Sequence, residues 1–171
     1  MVEHPIENWM DRISIAISRV AMFLVALIVV IMFYEVIMRY VFESGTYWVN
    51  EMSLWAAGGV YLLAGLYVMQ QRGHIRIFIL YDMVPRNWQR LFDTISVVLI
   101  VIFAAAIVYG GFNEAWAKLM RWETFGTAWD PPIPATMKPL LLVTVVLIAI
   151  QSVMNLIVDW NKETEVHELA E

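Results

Sequence analysis

Glu35, Arg39, Glu43 and Glu51 are the side chains whose types and spacing come closest to chemistry. Glu35 and Arg39 stand one helical turn apart in an otherwise apolar stretch, where a charge is costly unless it is paired or functional. Three readings are open: a Glu35/Arg39 ion pair with Glu51 satisfying first-turn amides of the next helix near its positive dipole end, an ion or proton site, or a contact facing a partner. His74 is a second candidate. No other histidine or carboxylate has ligand spacing beside it, so an interfacial place near lipid headgroups is a better reading than a metal site. No nucleophile with a paired base, glycine-rich phosphate loop or histidine–carboxylate cluster is present, and no enzymatic activity is expected.

These residues are positioned by four uncharged stretches at 20–34, 52–71, 94–113 and 139–158. About 20 apolar residues rising roughly 1.5 Å each cross a hydrocarbon core of about 30 Å. The expected fold is therefore all-α: a polytopic membrane protein with four transmembrane helices at about 18–42, 48–71, 87–120 and 136–160, forming a single membrane domain over 1–171. With 171 residues, 61% of them hydrophobic, no stretch remains for a soluble catalytic domain. The formal charge is −5 and no basic stripe is present, which argues against nucleic acid. Cysteine is absent, and His4, His74 and His167 all lie outside the expected spans, so thiolate metal sites and haem held between helices are not expected. No cofactor is called for.

Between helices two and three, apolar residues punctuated by Arg72, Arg76, Arg86 and Arg90 predict an amphipathic segment at about 74–84 in the interface plane. Pro85 then suits the first turn of helix three, which is longer than the hydrocarbon core if it reaches Met120. Pro131, Pro132 and Pro134 predict a stiff, extended approach to helix four. Tyr47, Trp48, Trp116, Trp122 and Trp129 mark one membrane border, and Trp88 and Trp160 the other. Seven Lys and Arg residues fall on the side of the two tails and the central loop, against four on the opposite side, which places both termini in the cytoplasm.

Small residues form a further pattern: Ala56, Ala57, Gly58, Gly59, Ala64 and Gly65 on helix two, with Ala104, Ala105, Ala106, Gly110 and Gly111 on helix three. Ala106 and Gly110 have small-xxx-small spacing. In lipid such stripes allow close backbone approach, and internal packing of Gly58, Gly59, Gly65, Ala106 and Gly110 is favoured over contact with another polypeptide.

Four local patterns then stand in order along the chain. Trp48, Val49, Asn50 and Glu51 open helix two, and Arg72, Gly73, His74, Ile75, Arg76 and Ile77 leave it. Val84 and Pro85, with Arg90, open helix three. Trp129, Asp130, Pro131 and Pro132 precede Lys138 and Pro139 at helix four. In this order and four-span frame, over residues 12–160, the chain resembles the DctQ-like small membrane subunit of tripartite ATP-independent periplasmic (TRAP) transporters. The resemblance implies a scaffold or stator in the bacterial or archaeal cytoplasmic membrane, without a substrate site of its own. It also implies two partners besides membrane lipids: a large membrane subunit carrying substrate and sodium sites, and a periplasmic substrate-binding protein delivering organic acids. The competing reading is a self-sufficient four-helix proton-coupled transporter using Glu35.

Overall fold

The computed structural model describes residues 6–72 and 84–160. Its described residues form four helices: α1 (Trp9–Tyr40), α2 (Val49–Gln70), α3 (Arg86–Met120) and α4 (Ile133–Asp159). All four are long and apolar enough to cross a membrane. His74, Arg76 and, apart from Val84, the amphipathic segment expected at 74–84 lie outside the described residues.

Two helix starts differ from the sequence reading. The α1 helix begins well before its apolar run because Asn8 and Asp11 close a capping box: the Asp11 amide donates to Asn8 Oδ1 at 2.8 Å and the Asn8 amide donates to Asp11 Oδ2 at 3.1 Å. Helix four also starts earlier than expected, at Ile133, and takes Pro134 into its first turn. Proline is tolerated there because its missing N–H would have no partner inside the helix. Pro85 caps α3 in an extended conformation rather than entering its first turn.

At 32 and 35 residues, α1 and α3 exceed what a hydrocarbon core requires. Both must tilt or project beyond it. The helices are arrayed in the order α1, α2, α4, α3: α2 packs on α1 and α4, whereas α3 packs on α4 and has little or no contact with the others. Cross-contacts fix the directions. Leu24 of α1 meets Gly59 of α2, while Ile148 and Met137 of α4 meet Gly65 and Gly58, so α2 and α4 run parallel and α1 runs against both. Helix three runs against α4, with Gly111 facing Leu142.

Candidate functional site

The chemically rich side chains gather at the two ends of this array. At the end where α1 starts and α4 finishes, the inward stripe of α1, with Asp11, Ser14 and Ser18, is buried. Gln151, fully buried on α4, accepts from Ser14 Oγ at 2.9 Å and donates through Nε2 to Asp11 Oδ1 at 2.7 Å and Asn155 Oδ1 at 2.8 Å. Asn155 in turn donates to the Met69 carbonyl of α2 at 2.8 Å. Asp11 Oδ2 is already held by the amides of Glu7 and Asn8. This network joins three helices with its carboxylate fully engaged, and a buried polar group so satisfied fixes relative position.

Around it, Arg72 pairs with Asp159 through Nε at 2.5 Å and through its terminal nitrogen at 2.9 Å, and reaches Glu7 at 3.3 Å. Arg86 of α3 donates to the Asp159 carbonyl at 2.9 Å, and the Arg90 guanidinium lies 5.5 Å above the Trp160 ring centre.

At the opposite end, Glu35 is 4% exposed and accepts from four donors. Arg39 supplies Nε at 3.2 Å and a terminal nitrogen at 2.6 Å to Oε1, while the Thr46 amide at 3.0 Å and its hydroxyl take Oε2. The carboxylate thereby ties α1 to the turn that leads into α2. Glu51 lies in the first turn of α2, but its Oε2 is buried without a hydrogen-bond partner, so that oxygen does not satisfy a first-turn amide as the sequence reading has it.

Trp48 stands between the Tyr34 ring at 6.0 Å and Trp129 at 6.4 Å, and Trp129 meets Trp55 at 6.5 Å. Trp55 Nε1 donates to Thr136 Oγ1 at 2.9 Å, and that hydroxyl donates to the Pro132 carbonyl at 2.9 Å. The loop from α3 to α4 is thus pinned across the start of α2, where Trp48 also meets Tyr34 of α1. Asp130, in the left-handed region at φ 53°, closes the loop by accepting from the Gly126 amide at 2.7 Å. Lys118 bonds Glu123 just past α3, and this contact holds the Glu123 carboxyl below the usual range. Lys138 of α4 pairs with Glu114 of α3.

Between these ends the helices carry no acidic or basic side chain: none from 20 to 34, 52 to 71, 94 to 113 or 139 to 158. Among the described residues no three His, Asp or Glu side chains converge on a metal-sized site. The small residues divide. Gly58, Gly59 and Gly65 face side chains of neighbouring helices, with Met137 Sδ only 3.1 Å from where a Cβ on Gly58 would stand. Internal packing of Ala106 and Gly110 is not what the structure holds: both are exposed, and among the described residues nothing lies within 4 Å of a Cβ on Gly110. The adjacent Gly111 takes that role, with Leu142 at 3.2 Å, because one residue along a helix turns the contact face by about 100°.

Asp11, Ser14, Gln151 and Asn155 were absent from the sequence-derived candidates. Their signal was polar residues at three- and four-residue spacing on otherwise apolar helices, which in lipid marks an inward stripe.

Residues 28–162 match the family model described as tripartite ATP-independent periplasmic transporters, DctQ component. The chain belongs to the DctQ family. It is also similar to the C4-dicarboxylate TRAP transporter small permease protein DctQ of Vibrio cholerae, at 22% identity over 135 residues. That alignment covers 77% of this chain and 58% of the relative, so the chain matches little more than half of the relative's length. The matched segment includes Gln151 and Asn155 and begins beyond Asp11 and Ser14.

Proposed function

We propose that this DctQ-family chain is the small, stationary membrane subunit of a sodium-coupled, binding-protein-dependent TRAP importer of organic acids. It resides in the cytoplasmic membrane with both termini inside and acts as a scaffold, not as an enzyme. Its partners are a large membrane subunit holding the substrate and sodium sites and a periplasmic binding protein that approaches the end carrying Trp129 and Asp130. The observation that carries this reading is the distribution of polar groups. Hydrogen-bonded clusters lock α1, α2 and α4 together at both ends, and the helix centres between them offer no charge for an ion or an acid to bind. A stator requires such rigidity, since a moving neighbour must push against a body that keeps its shape. Aromatic borders and the long, tilted α1 and α3 further resist displacement along the membrane normal.

A proton-coupled exporter using Glu35 is not favoured. Its carboxylate is saturated by Arg39 and Thr46 at one border, where no lone oxygen is left to cycle between a proton and a substrate. Reconstituted alone, the chain should take up no organic acid under a sodium or proton gradient, whereas addition of the large subunit and the loaded binding protein should restore uptake. In that restored system E35Q should leave ion coupling unchanged. Proton-coupled transport by the isolated chain, lost in E35Q, would refute the proposal.

A further inference from the structure

The amino-terminal part of α1 carries two differently composed faces. Met10, Asp11, Ser14, Ser18 and Ala21 are buried against the other helices. On the opposite side Trp9, Arg12, Ala16, Arg19 and Phe23 fall within about 80° of one another at a helical turn of 100° per residue, and all five are exposed. Trp9 is 59% and Phe23 68% accessible. Among the described residues, Arg39, Arg72, Lys118 and Lys138 each meet a carboxylate. Arg12 and Arg19 meet none. The acids nearest to them in sequence are engaged elsewhere: Glu7 pairs with Arg72, and Asp11 is held by backbone amides and Gln151.

Two exposed guanidiniums without a carboxylate partner, on a helix that overruns the hydrocarbon core, are free to meet an anion, and the membrane surface supplies one. Arg19 borders the uncharged run that begins at 20, so its side chain must extend toward the headgroups to keep its charge out of hydrocarbon. Helical side chains slant toward the amino end, which carries the Arg19 head toward the level of Arg12. Ala16, between the two arginines on this face, is too short to obstruct that path. Trp9 lies one turn before Arg12, at the depth where an indole favours headgroups, and beside it Ile6, Glu7, Asn8, Trp9 and Arg12 line a shallow depression. Asn8 Nδ2 is buried there without a hydrogen-bond partner. Below the arginines Phe23 continues the same face as an apolar surface for an acyl chain.

We propose that this outward face of α1 is a binding site for anionic phospholipid in the leaflet at the end where α1 starts. Arg12 and Arg19 take the phosphate, Trp9 flanks the headgroup, Ala16 leaves the space between the arginines open, and Phe23 lines the chain. The proposal rests on the exposure, charge and shape of this face and stands apart from the transport reading.

The test uses the full chain, stripped of lipid in a neutral detergent and titrated at low salt with dioleoylphosphatidylglycerol or dioleoylphosphatidylcholine, with native mass spectrometry counting retained lipids. R12Q/R19Q should weaken phosphatidylglycerol binding by about thirty-fold, the effect of two arginines near an anionic surface. R121Q, exposed at the opposite end, should bind phosphatidylglycerol as the parent does, all variants should hold phosphatidylcholine equally weakly, and inorganic phosphate should not displace the lipid. Should the double variant fail to fold, R12Q and R19Q singly should each cost about five-fold. Unchanged phosphatidylglycerol binding in these variants, or an equal loss in R121Q, would overturn the proposal. So would unchanged lipid binding accompanied by loss of a co-expressed large membrane partner, which would assign the face to a protein.

Discussion

The α1, α2 and α4 helices are joined by directional bonds between buried groups, whereas α3 is clipped to α4 at its ends and otherwise rests on a strip of small residues. Gln151 alone contacts Asp11, Ser14 and Asn155, and Asn155 carries the link to α2. By contrast, α3 buries only Gln89, Ala104 and Ala115 among its described residues, with Arg86 and Arg90 at one end and Glu114 at the other. In lipid, apolar side chains gain nothing by leaving the solvent, so helices are held by close packing and by polar groups with no better partner. Three helices therefore form a body with a defined shape, and the fourth leaves a broad apolar face, including Tyr109 at 91% accessible, open to lipid or to a partner.

The largest effect should come from breaking the polar junction. Gln151→Leu roughly preserves side-chain volume but leaves Asp11 Oδ1, the Ser14 hydroxyl and Asn155 Oδ1 each short of a bond inside the array. A loss of about 3 kcal/mol is expected from the buried unsatisfied groups, read as a drop in the unfolding midpoint in a fixed detergent. If Q151L unfolds like the parent, α1 and α4 are held by packing and the contrast with α3 disappears.

Adjacent glycines offer a sharper test of the α3 strip. Gly111→Leu must displace Leu142 and should cost about 2 kcal/mol through overpacking. Among the described residues nothing stands within 4 Å of a Cβ at position 110, so Gly110→Leu should leave the stability of the isolated protein nearly unaltered. Should G110L also abolish co-purification of a large membrane subunit, the open face of α3 would be the docking side. Equal destabilisation by both variants would mean that α3 is rotated from the position described.

The contrast between these glycines also marks what the sequence can and cannot express. Long apolar runs made the four helices legible, and the proline at 85 set the start of α3. Which small residue faces a neighbour was not legible, because both Gly110 and Gly111 fit a small-residue stripe and only the packing partner distinguishes them. The early start of α1 was written in Asn8 and Asp11, but a cap leaves no mark on hydropathy. Gln151, Ser152 and Asn155 sit inside an uncharged run, so hydropathy does not set them apart; their spacing marks a face of the helix but not the partners that face meets. Just past α2 and α3, Arg72 and Trp122 adopt left-handed backbone at φ 53° and 49°, where glycine is the usual signal. The Glu35/Arg39 spacing pointed to the right pair, but Thr46 as its third member depends on a turn whose path the sequence does not specify.

Removing the aromatic clasp should have a smaller effect. Trp129→Ala separates the α3–α4 loop from Trp48 and Trp55, and the lost ring contacts amount to about 1 kcal/mol. Because the loop lies at a membrane border, the more direct measurement is protease cleavage within 121–132, which should speed up in W129A while the unfolding midpoint moves only slightly. Unchanged cleavage would show that Asp130 and the prolines hold the loop without the rings.

The smallest effect belongs to the ion pair between the last turn of α3 and the loop that follows it. Lys118 bonds Glu123 and lowers its carboxyl pKa, so protonation must be less favourable in the folded protein than in the unfolded chain. The sign follows: the contribution is fully present above the unfolded carboxylate value, about 4.3, and is lost as pH falls through the lower folded value. Glu123 retains 37% of its side-chain exposure, so solvent screens the pair strongly. The Glu123→Gln variant should therefore lie slightly below the parent in unfolding midpoint, by the same margin at pH 8 and pH 6, and the two should converge only in acid below the carboxylate range. Salt should shrink the margin at neutral pH. A margin that instead narrows between pH 8 and 6 would trace to another titrating group, and a margin insensitive to salt would show that the Glu123 side chain acts through the backbone turn around Trp122 rather than through its charge.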